Sequence, residues 1–86
     1  MASPEAIARA QSVKAKYERE LMRKRNVVGV GVGFREQAGR LTNAVCIIVS
    51  VSAKLPLNQL AAKDIIPSEL EGVPVDVKAT GTFRAL

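Results

Sequence analysis

No histidine occurs anywhere in the 86 residues, tryptophan is absent, and one cysteine stands alone. Without imidazole, every triad or dyad that uses it as general base is excluded, together with every zinc site that needs a His ligand. A lone Cys46 cannot form an internal disulfide, and inside the run Val45-Cys46-Ile47 it reads as a small buried hydrophobe. Aromatics are almost missing too: Tyr17, Phe34 and Phe83 are the whole set. Single-strand nucleic-acid readers that stack bases on exposed rings are therefore poorly supplied. No apolar run approaches the roughly 18 residues of a membrane span. The start, Met-Ala-Ser-Pro-Glu-Ala, lacks the basic and apolar regions of a signal peptide, so the expected location is cytoplasmic with no membrane partner.

What the chain does have is aliphatic residues, 12 Ala, 11 Val, 7 Leu and 5 Ile, and a net charge of +5. One domain, residues 1–86, is all that this length supports, with a thin aliphatic core. Such cores rarely leave more than about 3–5 kcal/mol, and association is one common supplement. The charge is uneven. Seven cations against three carboxylates lie in residues 1–25, while the remaining residues are nearly neutral.

Local signals divide the chain into a basic amphipathic helix over 3–25, a small α/β core over 26–80 and a tail over 81–86, from which Phe83 can fold back. Ser3 suits an N-cap, Pro4 the first helical position and Glu5 the positive end of the helix dipole. Ile7, Ala10, Val13, Tyr17 and Leu21 form one apolar stripe, and Arg23-Lys24-Arg25 falls in the expected last turn. Val27 to Arg35 alternates as a strand, with Val28, Val30, Val32 and Phe34 on one face and Val27, Gly29, Gly31, Gly33 and Arg35 on the other. After the polar connection Glu36 to Arg40, residues Leu41 to Ser52 are apolar on both faces, which predicts a central strand covered on two sides. A short helix is expected over Leu57 to Ile65, stopped by Pro67, then one further helical turn at Ser68 to Gly72. Val73 to Ala79 predicts a third strand, placed at an edge because Pro74 cannot donate to a ladder. The expected fold class is α+β, a two-layer sandwich in the order helix-strand-strand-helix-strand with about three strands.

Gly29-Val30-Gly31-Val32-Gly33 invites comparison with phosphate loops, but those need a glycine turn between a strand and a helix N-terminus. Here the glycines alternate within a strand and clear one face for close approach of another element. Ser12, Ser50, Ser52 and Ser68 lack a nucleophile-elbow context, and Ser50 and Ser52 near Lys54 are small polar residues at a strand exit. Asp64, Glu69, Glu71 and Asp76 scatter over several elements and read as solvated surface. No catalytic residue, metal ligand or cofactor is assigned, and the chain is read as a non-enzyme.

The element order resembles one arrangement of the KH domain, whose phosphate clamp is a GXXG loop, yet Ala61 to Ile66 contains no glycine. The run Arg25 to Phe34, then Leu41 to Val49, Lys54-Leu55-Pro56-Leu57, Ile66-Pro67 and Gly72 to Val77 carries a second likeness. It resembles the N-terminal region that precedes the protease domain in bacterial trypsin-like serine proteases and related uncharacterised proteins. The resemblance implies a stand-alone accessory domain and carries over no catalytic position.

The leading expectation is a non-catalytic protein-interaction module that self-assembles, as a homo-oligomer, or docks a protein partner. Its candidate contact residues are Tyr17, Leu21, Gly29, Gly31, Gly33, Val75 and Val77. The alternatives are a nucleic-acid or other polyanion binder using Arg19, Arg23, Lys24 and Arg25, and a folding aid or inhibitor of a separately encoded protease.

Overall fold

In the computed structural model, residues 3–53 and 55–79 are described; the tail expectation for 81–86, with Phe83, lies outside them. Helix α1 runs Pro4–Met22. The Ser3 hydroxyl accepts the Ala6 N–H at 3.1 Å and Pro4 opens the first turn, so the start follows the local signals. The helix stops earlier than expected, with Arg23 as C-cap and Arg19 as the basic residue of its last turn. Lys24 and Arg25 belong to the exit, which Asn26 turns in the left-handed region at φ 77°.

Strand β1 (Val27–Gln37) and β2 (Arg40–Val51) form an antiparallel hairpin. β2 pairs in parallel with β4 (Val73–Ala79), which also pairs with the two-residue β3 (Glu69–Leu70). The sheet is mixed, in the order β1-β2-β4-β3. The α+β class holds, and β2 takes the central position expected of it, but the expected order and strand number are corrected in three places.

The segment expected to form a second helix makes only two single turns of 3-10 helix, Leu57–Gln59 and Ala62–Asp64. Ala61 between them is extended at ψ 152°. A segment this short, bracketed by Pro56 and Pro67, lacks the length for a stable α-helix unless packing rescues it. Its polar groups are instead used by the α1 exit: Lys24 Nζ donates to the Lys63 carbonyl at 2.6 Å, and the Arg25 N–H donates to Asp64 Oδ1 at 3.0 Å.

Ser68 to Gly72 is not a helical turn. Leu70 faces Val73 across the two-residue turn Glu71-Gly72, whose φ values of 49° and 83° belong to a tight hairpin that glycine favours at its second position. The partner strand β3 is what moves β4 away from the sheet edge. Pro74 is tolerated because the parallel ladder starts one residue later, at Val75, and the Val75 N–H donates to the Ser68 carbonyl at 2.9 Å.

The faces of β1 are reassigned at one point. Val27 lies opposite Val51 and Gly29 opposite Ser50, so Val28 is the extra residue of a β-bulge. Val27 therefore packs on the core, and Val28 is 45% exposed, the reverse of strict alternation.

The core lies between α1 and one face of the sheet. Ala10, Val13 and Leu21 meet Ile47, Val49, Val51 and Val73, flanked by Tyr17, Val30, Val32, Val45, Val75 and Val77. Each of Ala10, Val13, Leu21, Ile47, Val49 and Val51 is less than one-twentieth exposed, so this layer holds most of the tightly buried apolar area.

Candidate interaction surface

The second face of the sheet carries no helix. Register places Gly29, Ser50 and Lys78 in one row across it and Gly31, Ile48 and Asp76 in the next, with Gly33 and Cys46 beyond. The glycines clear the β1 side of this face, as the alternation implied. A methyl group at Gly31 would meet nothing within 4 Å and one at Gly29 would only touch Ser50 Cβ at 3.8 Å. Gly33 differs: its methyl would fall 2.5 Å from Ile48 Cδ1, because the Ile48 side chain leans across it. The close approach therefore has an internal occupant at Gly33 and none at Gly31.

At the far end the β1–β2 hairpin curls over this face. Phe34 pairs with Val45 but Glu36 pairs with Leu41, so Thr42, Asn43 and Ala44 stand opposite Arg35 alone. The Thr42 hydroxyl spans the gap, donating to the Arg35 carbonyl at 2.7 Å and accepting the Ala44 N–H at 3.2 Å. Such a bulge bends and twists the pair. The Glu36 N–H then reaches Asp76 Oδ2 at 3.2 Å, and Lys78 Nζ lies 3.4 Å from Glu36 Oε2. The turn beyond is made by Ala38 and Gly39, at φ 51° and 77°.

Beneath that curl Cys46 is fully buried, as expected of a small hydrophobe. Burial pushes its thiol above the ordinary value, nearby Asp76 adds to this, and Lys78 and Arg35 oppose it. A thiol held protonated is a poor nucleophile. The expectation of a β2 covered on both faces holds at Cys46 and fails at Ala44, which is exposed, and at Ile48, which is half-buried. Among the described residues no group of three acidic, Cys or His side chains could hold a metal ion, and no helix is long and apolar enough to cross a membrane.

The predicted contact residues separate into two groups. Leu21 is buried in the core, with Tyr17, Val75 and Val77 packed around it, so these four are used inside the chain. Gly29, Gly31 and Gly33 alone lie on the helix-free face. On the α1 side, Lys14 pairs with Glu18 at 2.9 Å and Lys16 with Glu71 at 2.8 Å. Glu71 is an anchor that sequence reading missed: its carbonyl accepts from Arg9 and its carboxylate also takes the Tyr17 hydroxyl. The Lys16 ammonium, then Tyr17, hold the Glu71 carboxyl below its ordinary value, and the same carboxylate raises Lys16 and Tyr17. Its signal was Glu-Gly, a dipeptide suited to a tight turn. Asn26 was missed as well; its amide donates to the Ala53 carbonyl and its oxygen accepts from the Ser52 hydroxyl.

A cavity of about 290 Å³ opens where α1 leaves the sheet, between Arg25, Asn26 and Val51 on one side and Leu60, Asp64 and Ile66 on the other. Of the four candidate polyanion residues, Arg19, Arg23 and Arg25 are exposed and Lys24 is half-buried. The Lys24 ammonium and the Arg25 backbone N–H are bonded to the 3-10 segment, while the Arg25 side chain stays exposed.

With the fold and this face in view, comparison gives the class. A small α+β domain of this composition matches the family model described as the NARROW LEAF 1 N-terminal domain over residues 11–80. The chain belongs to that family. NARROW LEAF 1 is a plant protein, and the likeness to a bacterial protease accessory segment is corrected accordingly. The reading as folding aid or inhibitor of a protease rested on that likeness alone. No curated protein matches the chain.

Proposed function

We propose that this domain is a non-catalytic protein-interaction module of the cell interior that self-assembles or docks a protein partner through its open sheet. One observation carries the reading: the outer strand β1 borders a helix-free face on which a methyl group at Gly31 would meet nothing within 4 Å, and its run from Gly29 to Phe34 has no charge and no proline. An edge that is long and apolar offers unpaired backbone groups to another chain. The thin core supplies the second reason, since on the helix-free face Cys46 is fully buried while Ile48 is only half-buried within the chain. Light scattering and sedimentation from low to high micromolar concentration test it. A mass rising above 9.2 kDa is expected; a folded monomer throughout, with no partner recovered by affinity capture, overturns it.

A second reading uses Arg19 and Arg23, the exposed arginines of α1 and its cap, to hold a polyanion. It requires binding to DNA or RNA that weakens steeply with salt and is lost in Arg19→Gln/Arg23→Gln protein. A flat titration at low salt dismisses it.

A further inference from the structure

We infer that the cavity where α1 leaves the sheet binds a free apolar α-amino acid of the leucine or phenylalanine class, with its side chain inside, its carboxylate on Arg25 and its ammonium on Asp64. The cavity measures about 290 Å³ and lies on the α1 side of the sheet, away from the open face. Its walls are aliphatic. Val51 and Val77 come from the sheet, and Leu55, Leu60, Ile65 and Ile66 from the connection between β2 and β3. Of these only Val51 is buried; Val77, Leu55, Leu60 and Ile66 are half-buried and Ile65 is 38% exposed, so the chain leaves apolar area uncovered there. A cavity of about 150 Å³ already accepts benzene, so this one has room for one such side chain and the polar groups at its root.

The polar lining selects the ligand. Asn26 is used within the chain, its amide donating to the Ala53 carbonyl and its oxygen accepting from the Ser52 hydroxyl. Asp64 accepts the Arg25 N–H through Oδ1 at 3.0 Å, and its Oδ2 takes no hydrogen bond among the described residues. The Arg25 guanidinium likewise has no hydrogen bond and no ion pair among the described residues. A cation and an anion on bonded residues thus border an apolar cavity without pairing with each other. A ligand with one carboxylate, one ammonium and an apolar body meets all three parts, because the guanidinium fork matches a carboxylate and a carboxylate oxygen accepts from an ammonium. A fatty acid would bring its charge beside Asp64, and an apolar amine would bring its charge beside Arg25. The wall is fixed in advance: Lys24 Nζ donates to the Lys63 carbonyl at 2.6 Å, in the 3-10 turn that carries Asp64.

Titration of the isotope-labelled chain with L-leucine and L-phenylalanine, followed through the amide signals of Val51, Asp64 and Val77, tests the site. Saturable binding is expected. In the parent chain 4-methylpentanoate, which lacks the ammonium, 3-methylbutylamine, which lacks the carboxylate, and L-leucinamide, which stands for a peptide N-terminus, are each expected to bind at least about tenfold more weakly than L-leucine. Arg25→Met keeps the backbone N–H that Asp64 holds, and Asp64→Asn keeps an oxygen to accept it, so both retain the wall. Arg25→Met is expected to bind leucine no better than leucinamide, and Asp64→Asn no better than 4-methylpentanoate. Ala53 is exposed and holds Asn26 through its backbone carbonyl, so Ala53→Phe fills the cavity from its lining and is expected to abolish binding with the melting temperature kept. No saturable shift with either amino acid up to about 10 mM overturns the proposal. Equal binding of leucine and leucinamide by the parent chain, or unchanged leucine binding in both charge variants, overturns it as well.

Discussion

The two faces of one sheet make the instructive comparison. β2 sends Ile47, Val49 and Val51 toward α1 and Cys46, Ile48 and Ser50 the other way, from the same strand. On the first face a helix completes the layer, and every side chain of that trio is less than one-twentieth exposed. On the second, burial is complete only where the hairpin curls over Cys46, and Ile48 finds only the space above Gly33. One strand thus contributes to a core on one face and to an unfinished surface on the other. What decides is the neighbouring element, because hydrophobic gain scales with area removed from water.

The comparison can be broken first at its strongest point. Ile47→Ala should cost about 3–4 kcal/mol in denaturant unfolding, while Ile48→Ala should cost about 1 kcal/mol. Equal losses would mean that the second face is as well packed as the first. Asn26→Ala comes next, at about 2 kcal/mol, since alanine strains the left-handed backbone and both side-chain hydrogen bonds go. Asn26→Gly keeps the backbone freedom and should recover about half of that loss, which melting curves will resolve.

The turns extend the contrast at lower cost. Ala38 occupies a left-handed position that asparagine tolerates better, so Ala38→Asn should stabilise by about 0.5–1 kcal/mol. No gain in melting temperature would contradict the turn geometry. The Glu71 turn, on the helix side, predicts a pH effect. Its carboxyl titrates below the ordinary value in the folded chain, chiefly through Lys16, so its contribution is complete above about pH 4.5 and is lost as pH falls through the lower folded value. Glu71→Gln should therefore flatten the acid limb of the stability curve slightly, and an unchanged limb would remove the Lys16 and Tyr17 contacts from the account.

Much of the fold was legible in particular residues. Ser3 and Pro4 mark the helix start, the stripe from Ala10 to Leu21 marks its buried side, and the β-branched run of β2 marks the centre of the sheet, because caps and periodicity act over a few residues. Of the candidate surface, the glycine alternation of β1 was readable and its openness at Gly31 was not. Whether a glycine face is filled depends on where Ile48 leans and where the hairpin goes, which residues distant in sequence decide.

By itself the sequence determined the α+β class, the cap and stripe of α1, the alternation of β1 and the exclusion of imidazole chemistry, all of which follow from residue type and short spacing. Only the tertiary structure decided that Val28 leaves the alternation, that Pro74 lies inside the sheet next to β3, that Cys46 is sealed by the hairpin and that Leu21 is consumed by the core. The physical reason is common to all four. Strand pairing and burial are relations between segments, and a residue's own preferences cannot state which segment will arrive beside it.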